Sequence, residues 1–267
     1  MRFNYLKRSG LLRYILLFMI VTVCQDLMAQ NRHLEIQKKS SYELKGDTLI
    51  LDELIMHDSS YLVLKHGTSA SYIKINKLKI GKQCWIIGSG MHGTSSRPSK
   101  DADISEGPCN HGKPGADGKN GANGERGKNL TLEVTQLESN MYPLLLRLNG
   151  GNGGDGGSGG SGGNGSKSTI HCDCNGGNGG NGGNGGDGGA GGTFTFRCAQ
   201  CPANLLSSEV IKFNLHGGYS GYGGEGGRGG AIGTGAMQTS KRGTNGKHGE
   251  RGKNGQEGNF IYNKAGS

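Results

Sequence analysis

Between about residues 30 and 93, apolar and polar residues alternate in short runs. Tyr72-Ile73-Lys74-Ile75-Asn76, followed by Leu78 and Ile80, places its aliphatic side chains on one face of an extended chain, the period-two mark of a half-buried strand. DTLILDELIM (47–56) and SYLVLKHG (60–67) repeat the pattern, separated by polar turns such as HDSS. Helical periodicity and helix caps are absent. The spacing suits either a small sandwich or the coils of a right-handed parallel β-helix, and 30–106 is read as a β-strand region with the solenoid preferred.

From Gly107 the pattern changes to glycine at every third position, in five blocks. Block A (112–129) and block E (243–258) carry one glycine per triplet. Block B (150–165), block C (176–192) and most of block D (217–233) carry two. Strand-like text follows A (130–148) and C (193–215), and Phe260-Ile261-Tyr262 follows E.

Glycine loses more conformational entropy on ordering than other residues, about 0.5–1 kcal/mol relative to alanine, so such blocks do not order unaided. An extended left-handed helix of the polyproline type has about 3 residues per turn and no internal hydrogen bonds, so a three-residue period gives it a bare glycine face. A neighbouring backbone can approach that face and satisfy its N–H and C=O groups. One glycine per triplet supplies one such face and two supply two, which predicts B, C and most of D between neighbours and A and E at edges. The expected fold is mainly β plus a polyglycine-II helix bundle over 107–267, with antiparallel glycine-rich helices interleaved with strands and essentially no α-helix.

These blocks resemble those of snow-flea-type antifreeze proteins and of the glycine-rich tip adhesins of some phage tail fibres, both of which pack such helices side by side. The resemblance covers roughly 107–258 and rests on periodicity alone. Collagen is disfavoured because Pro114 is the one proline in the five blocks. Gly182-Gly183-Asn184-Gly185-Gly186-Asp187 matches the start of a calcium-binding nonapeptide, but Gly189 stands where a β-roll needs a large apolar residue.

Composition narrows the class of protein. The 267 residues include 55 glycines and are only 32% hydrophobic, so an oil-drop core of ordinary proportions is not expected. The N-terminus has Arg2, Lys7, Arg8 and Arg13, an apolar run from Tyr14 to Val23, and Leu27-Met28-Ala29, which predicts a signal peptide over 1–29. The rivals are a retained membrane anchor, which the ten-residue uncharged run is too short to favour, and lipid attachment at Cys24, weakened by the bulky Val23.

Signal cleavage lowers the formal charge from +9 to about +6. The basic residues are dispersed among acids rather than grouped with aromatics, so no nucleic-acid partner is expected. No other apolar run approaches spanning length, so no integral membrane protein is expected after cleavage. The expected location is the cell surface or the extracellular space, with the periplasm possible.

Six further cysteines, Cys84, Cys109, Cys172, Cys174, Cys198 and Cys201, are disulfide candidates in an exported chain. If B leaves the strands and C returns, A also returns, and Cys109 with His111 meets the turn His171-Cys172-Asp173-Cys174. That cluster offers thiolate and imidazole ligands for a metal, but a disulfide from Cys109 to Cys172 or Cys174 is the expected outcome. Cys198 and Cys201 fall at the opposite end.

Gly88-Ser89-Gly90-Met91-His92-Gly93 fits a dinucleotide fingerprint, yet Pro98 and the lack of an apolar helical stripe remove the helix it requires. No catalytic set and no cofactor are expected. The expected function is that of an exported non-enzymatic binding or structural protein, adhesin-like, which engages an unknown receptor, glycan or protein. The contact loops would be 94–110, 166–175 and 234–242. Ice binding is the first alternative and metal or calcium binding the second.

Overall fold

The computed structural model describes residues 32–264 except 66, 68–69, 140–141, 168–171 and 201–209. The signal segment 1–29 with Cys24, and His171 and Cys201, lie outside the described residues.

Among the described residues, eleven strands form two sheets: β1 (His33–Ile36), β2 (Ser41–Glu43), β3 (Thr48–Met56), β4 (Tyr61–Val63), β5 (Ala70–Ile80), β6 (Trp85–Ile87), β7 (Asn129–Ser139), β8 (Leu144–Arg147), β9 (Phe194–Gln200), β10 (Ile211–Asn214) and β11 (Phe260–Lys264). Odd-numbered strands make a six-stranded sheet in the order β1-β3-β5-β7-β9-β11, and even-numbered strands a five-stranded sheet in the order β10-β8-β6-β4-β2. Every pairing is parallel. The chain therefore passes from one sheet to the other and back, one coil per pair of strands.

The core lies between the sheets and is built by like residues in register. Ile73, Leu132 and Phe196 stack on successive coils, as do Leu62, Ile86 and Leu146. In β3, β5 and β7 the inward positions step by three residues, Leu51 to Leu54, Ile75 to Leu78 and Val134 to Leu137. Asp52, Asn76 and Thr135 drop out of the ladder there, and Asn76 Nδ2 donates to Asp52 Oδ1 at 2.9 Å. A fixed bend thus interrupts the period-two alternation at the same place in three coils.

This arrangement overturns the expected fold class, a polyglycine-II helix bundle beside a small solenoid or sandwich with antiparallel glycine-rich helices. The two sheets are wholly parallel, whereas a β-sandwich packs antiparallel sheets. Strands from the glycine-rich half (β7 to β11) extend the same two sheets begun by β1 to β6. The glycine blocks carry no regular secondary structure and serve as long connections between consecutive strands. Three coils are lengthened in this way: β6 to β7 through a lead-in segment 88–103 and block A, β8 to β9 through B and C, and β10 to β11 through D and E.

Candidate functional site

Each connection runs out from the short-strand sheet and returns to the long-strand sheet. Outgoing segments lie side by side and parallel: Gly93 N donates to Asn152 O at 2.7 Å, and Gly153 N to Tyr219 O at 2.8 Å, ordering them lead-in, B, D. Returning segments do the same, with Gly118 N to Asn181 O at 2.7 Å and Gly182 N to Lys247 O at 2.8 Å, ordering them A, C, E. Antiparallel bonds tie the two rows, such as Gly183 N to Gly157 O at 2.9 Å and Gly224 N to Gly183 O at 2.8 Å.

Glycine is required where these backbones meet. A Cβ on Gly182 would overlap the carbonyl of Gly224 in block D, and one on Gly183 that of Lys119 in block A. Block B is confined the same way, Gly150 by Gly189 of C and Gly151 by Met91 of the lead-in segment. In A and E only one position per triplet is so confined, as at Gly115 and Gly246.

Two of the three N–H groups in a block C triplet are thereby paired to backbone. The third is taken by a side chain of the preceding parallel segment: Asn181, Asn184 and Asp187 donate from N to the Oδ1 atoms of Asp117, Asn120 and Asn123 at 2.6–2.8 Å. Their own Oδ1 atoms accept from the N–H groups of Lys247, Glu250 and Lys253 at 2.7–2.9 Å. The outgoing row is tied likewise. His92 Nδ1 accepts from Asn152 N at 2.8 Å, and Asn152 and Asp155 Oδ1 accept from Tyr219 and Tyr222 N at 2.9 and 2.8 Å. Asp101 belongs to the same ladder, and the N–H of Ser161 holds its carboxyl below the usual range.

The rows end at D and E, where no further segment needs an acceptor. Third positions in D are Tyr219, Tyr222, Glu225 and Arg228, and the residues of E whose N–H groups close the ladder are Lys247, Glu250 and Lys253, all exposed. Tyr219 is 71% and Tyr222 63% exposed. The Arg251 guanidinium lies 4.7 Å from the Tyr222 ring centroid, and its Nε donates to the buried Ser220 Oγ at 2.9 Å. Ser220 stands where the two-glycine pattern has its first glycine, and its N–H donates to Asn254 Oδ1 at 2.9 Å. Tyr219 separates a groove of about 510 Å³, lined in part by His92, Arg147, Asn152 and His216, from one of about 230 Å³ lined by Asn254 and Glu257.

At the far end the turns between outgoing and returning segments meet. A disulfide joins Cys109 to Cys172, with Cα atoms 5.8 Å apart. Cys174 is a buried free thiol, and the three sulfur atoms lie within 4.8 Å of one another. His111 lies by this group through Asn175, whose N–H donates to its Nδ1 at 3.0 Å. Met237 N donates to Cys172 O, and Cys174 N to Ser240 Oγ at 3.1 Å, so the third turn is tied in as well. Ile104 projects here and is 82% exposed.

The remaining candidate cysteines are elsewhere. Cys84 is a free thiol in the core between the sheets, where burial pushes its pKa up and its Sγ donates to the carbonyls of Met56 and His57 at 3.3 and 3.2 Å. Cys198, in β9, is disulfide-bonded and buried at the strand end of the molecule. The fingerprint-like run 88–93 forms the start of the lead-in segment against block A, and Asp187 of the nonapeptide-like run is occupied by Lys253 N. Among the described residues no helix is long and apolar enough to cross a membrane.

Sequence reading missed the lead-in segment as a sixth element, the Asn/Asp ladder, and the cluster of Tyr219, Tyr222 and Arg251. The available signals were the small residues Gly90, Gly93, Ser96, Ser99 and Ala102 at every third position, and Ser220 breaking the glycine pattern of block D.

No protein-family model and no curated protein matches the chain. Among solved structures, a springtail antifreeze protein from Granisotoma rainieri is similar at 24% identity over 63% of this chain and 93% of its own. That protein is described as a nine polyproline type II helical bundle whose crystal waters match the ice lattice. The TM-score of 0.13 is too low for that likeness to carry any argument about this chain.

Proposed function

We propose that the chain is an exported, non-enzymatic binding protein of adhesin-like character that presents its far-end turns to a partner at the cell surface or outside the cell. The observation that supports this reading is that the described parts of three turns meet at one end: the Cys109–Cys172 disulfide joins two of them, and Met237 and Ser240 of the third bond to Cys172 and Cys174. A stapled end more than ten triplet-spaced residues from the sheets offers preorganised loops, which lowers the ordering cost of binding. Loops on a rigid scaffold are also where binding residues commonly reside.

The test is attachment of beads coated with the mature protein to the surface of the producing cells and of neighbouring cells. Ile104→Ser combined with Met237→Ser should reduce attachment by several-fold while leaving the melting temperature unchanged. Attachment that is unaffected by the tip substitutions, or absent in the wild type, overturns the reading. The rival function, ice binding, would be revealed by sustained thermal hysteresis.

A further inference from the structure

The Asn/Asp ladder explains the third position of each triplet in B and C, and its last step ends on the backbone of D and E. Side chains at the third positions of D therefore have no further segment to hold, and they change in character. Where B has Asn152, Asp155, Ser158 and Ser161, D has Tyr219, Tyr222, Glu225 and Arg228. Blocks D and E together hold four Lys and Arg residues against three Glu, so the edge has no large charge excess and selection of an acidic ligand rests on Arg251.

Two exposed tyrosines one triplet apart are separated by at most about 10 Å of extended chain. This is the span of a disaccharide unit, and the two residues occupy equivalent, exposed positions in block D, each donating its N–H to a side chain of block B. Aromatic rings present a π-face on which the C–H face of a sugar ring can stack while the hydroxyl stays wet. Arg251 covers one face of Tyr222, and the hydrogen bond to Ser220 fixes its guanidinium in place. A planar guanidinium held in this way matches a carboxylate with two parallel hydrogen bonds. The grooves on either side of Tyr219 supply His216, Asn254 and Arg147 for hydroxyl groups of adjoining sugars.

We propose that the edge formed by blocks D and E binds a linear acidic polysaccharide, with Tyr219 and Tyr222 stacking on successive disaccharide units and Arg251 pairing with a sugar carboxylate. The site is separate from the far-end turns and stands or falls independently of their role.

Binding of the mature full-length protein to polygalacturonate, measured by calorimetry beside neutral dextran, tests the proposal. Wild type should bind polygalacturonate at low salt, more weakly as salt rises, and should prefer it to dextran by at least tenfold. Tyr219→Ala and Tyr222→Ala should each weaken binding about tenfold at unchanged melting temperature, Tyr222→Phe should retain it, and Arg251→Gln should abolish the preference over dextran. Lys119→Ala in block A and Ile104→Ser at the tip should leave binding unchanged. Absent binding to polygalacturonate, binding that survives both tyrosine truncations, or equally tight binding to oligo-dT overturns the proposal.

Discussion

The side-chain carbonyl of Asn184 accepts the backbone N–H of Glu250 at 2.9 Å, sixty-six positions further along the chain. Asn184 N–H in turn donates to Asn120 Oδ1 at 2.8 Å, so one residue links three returning segments. An extended segment bonded to neighbours through two N–H groups per triplet has one left over, and this relay satisfies it. Asparagine in these blocks is thus a structural residue as much as glycine is.

The two residue types should nonetheless differ in cost. Gly183→Ala drives a Cβ into the Lys119 carbonyl, and backbone cannot yield as a flexible side chain would, so the expected loss is about 1–3 kcal/mol or more. Asn184→Ala removes side-chain bonds at an exposed site and should cost about 1 kcal/mol. Urea denaturation of the two variants checks the order, and equal tolerance at both positions would contradict the packing described.

Cys174 should take over when its neighbour is removed. Its sulfur lies within 4.8 Å of both disulfide partners, so Cys172→Ser folded under oxidising conditions should yield a Cys109–Cys174 disulfide on non-reducing peptide mass spectrometry. Finding Cys109 as a free thiol in that variant would contradict the geometry. Cys172→Ser with Cys174→Ser leaves the tip unstapled, and loop entropy for a 63-residue separation sets the loss at up to about 4 kcal/mol.

Acid should weaken the sheets in a defined window. The hydrogen bond from Lys74 holds the Glu133 carboxyl below its ordinary 4.5, helped by Tyr72, and Lys79 does the same for Glu53. Both groups bind protons more weakly folded than unfolded. Their contribution is therefore complete above the ordinary carboxylate range and is lost as pH falls through the lowered folded values. Glu133→Gln should cost no more than about 1 kcal/mol at neutral pH and should flatten this acid limb. An unchanged limb in a pH series of melting temperatures would contradict the assignment.

Local rules carried part of this structure and stopped at long range. Alternation at 72–80 is readable because β5 is half-buried, and the phase slip at Asn76 is visible in the same residues once the bend is known. The parallel continuation from β5 to β7 is not readable, because β6, the lead-in segment and block A intervene and nothing local encodes which sheet a strand rejoins. Treating the blocks as a body of their own followed from the same gap.

The lead-in segment escaped notice for a chemical reason. Ser96 and Ser99 stand where glycine is expected, and their hydroxyls donate to Asn120 O and Asp117 O at 2.6 and 2.7 Å in place of close backbone contact. At the tip, the meeting of Cys109 with Cys172 followed from the alternation of outgoing and returning blocks. The cluster at Tyr219 and Arg251 did not, because it depends on D and E being adjacent at the end of both rows.

Hydrogen exchange followed by mass spectrometry on the native full-length chain tests most directly whether the glycine blocks are hydrogen-bonded connections of a parallel two-sheet fold. Amides of blocks B and C should exchange as slowly as those of β5 and β7, with block E faster because one of its sides is open. Complete exchange of B and C within the dead time, alongside protected strands, would contradict the ordered rows and the binding edge built on them.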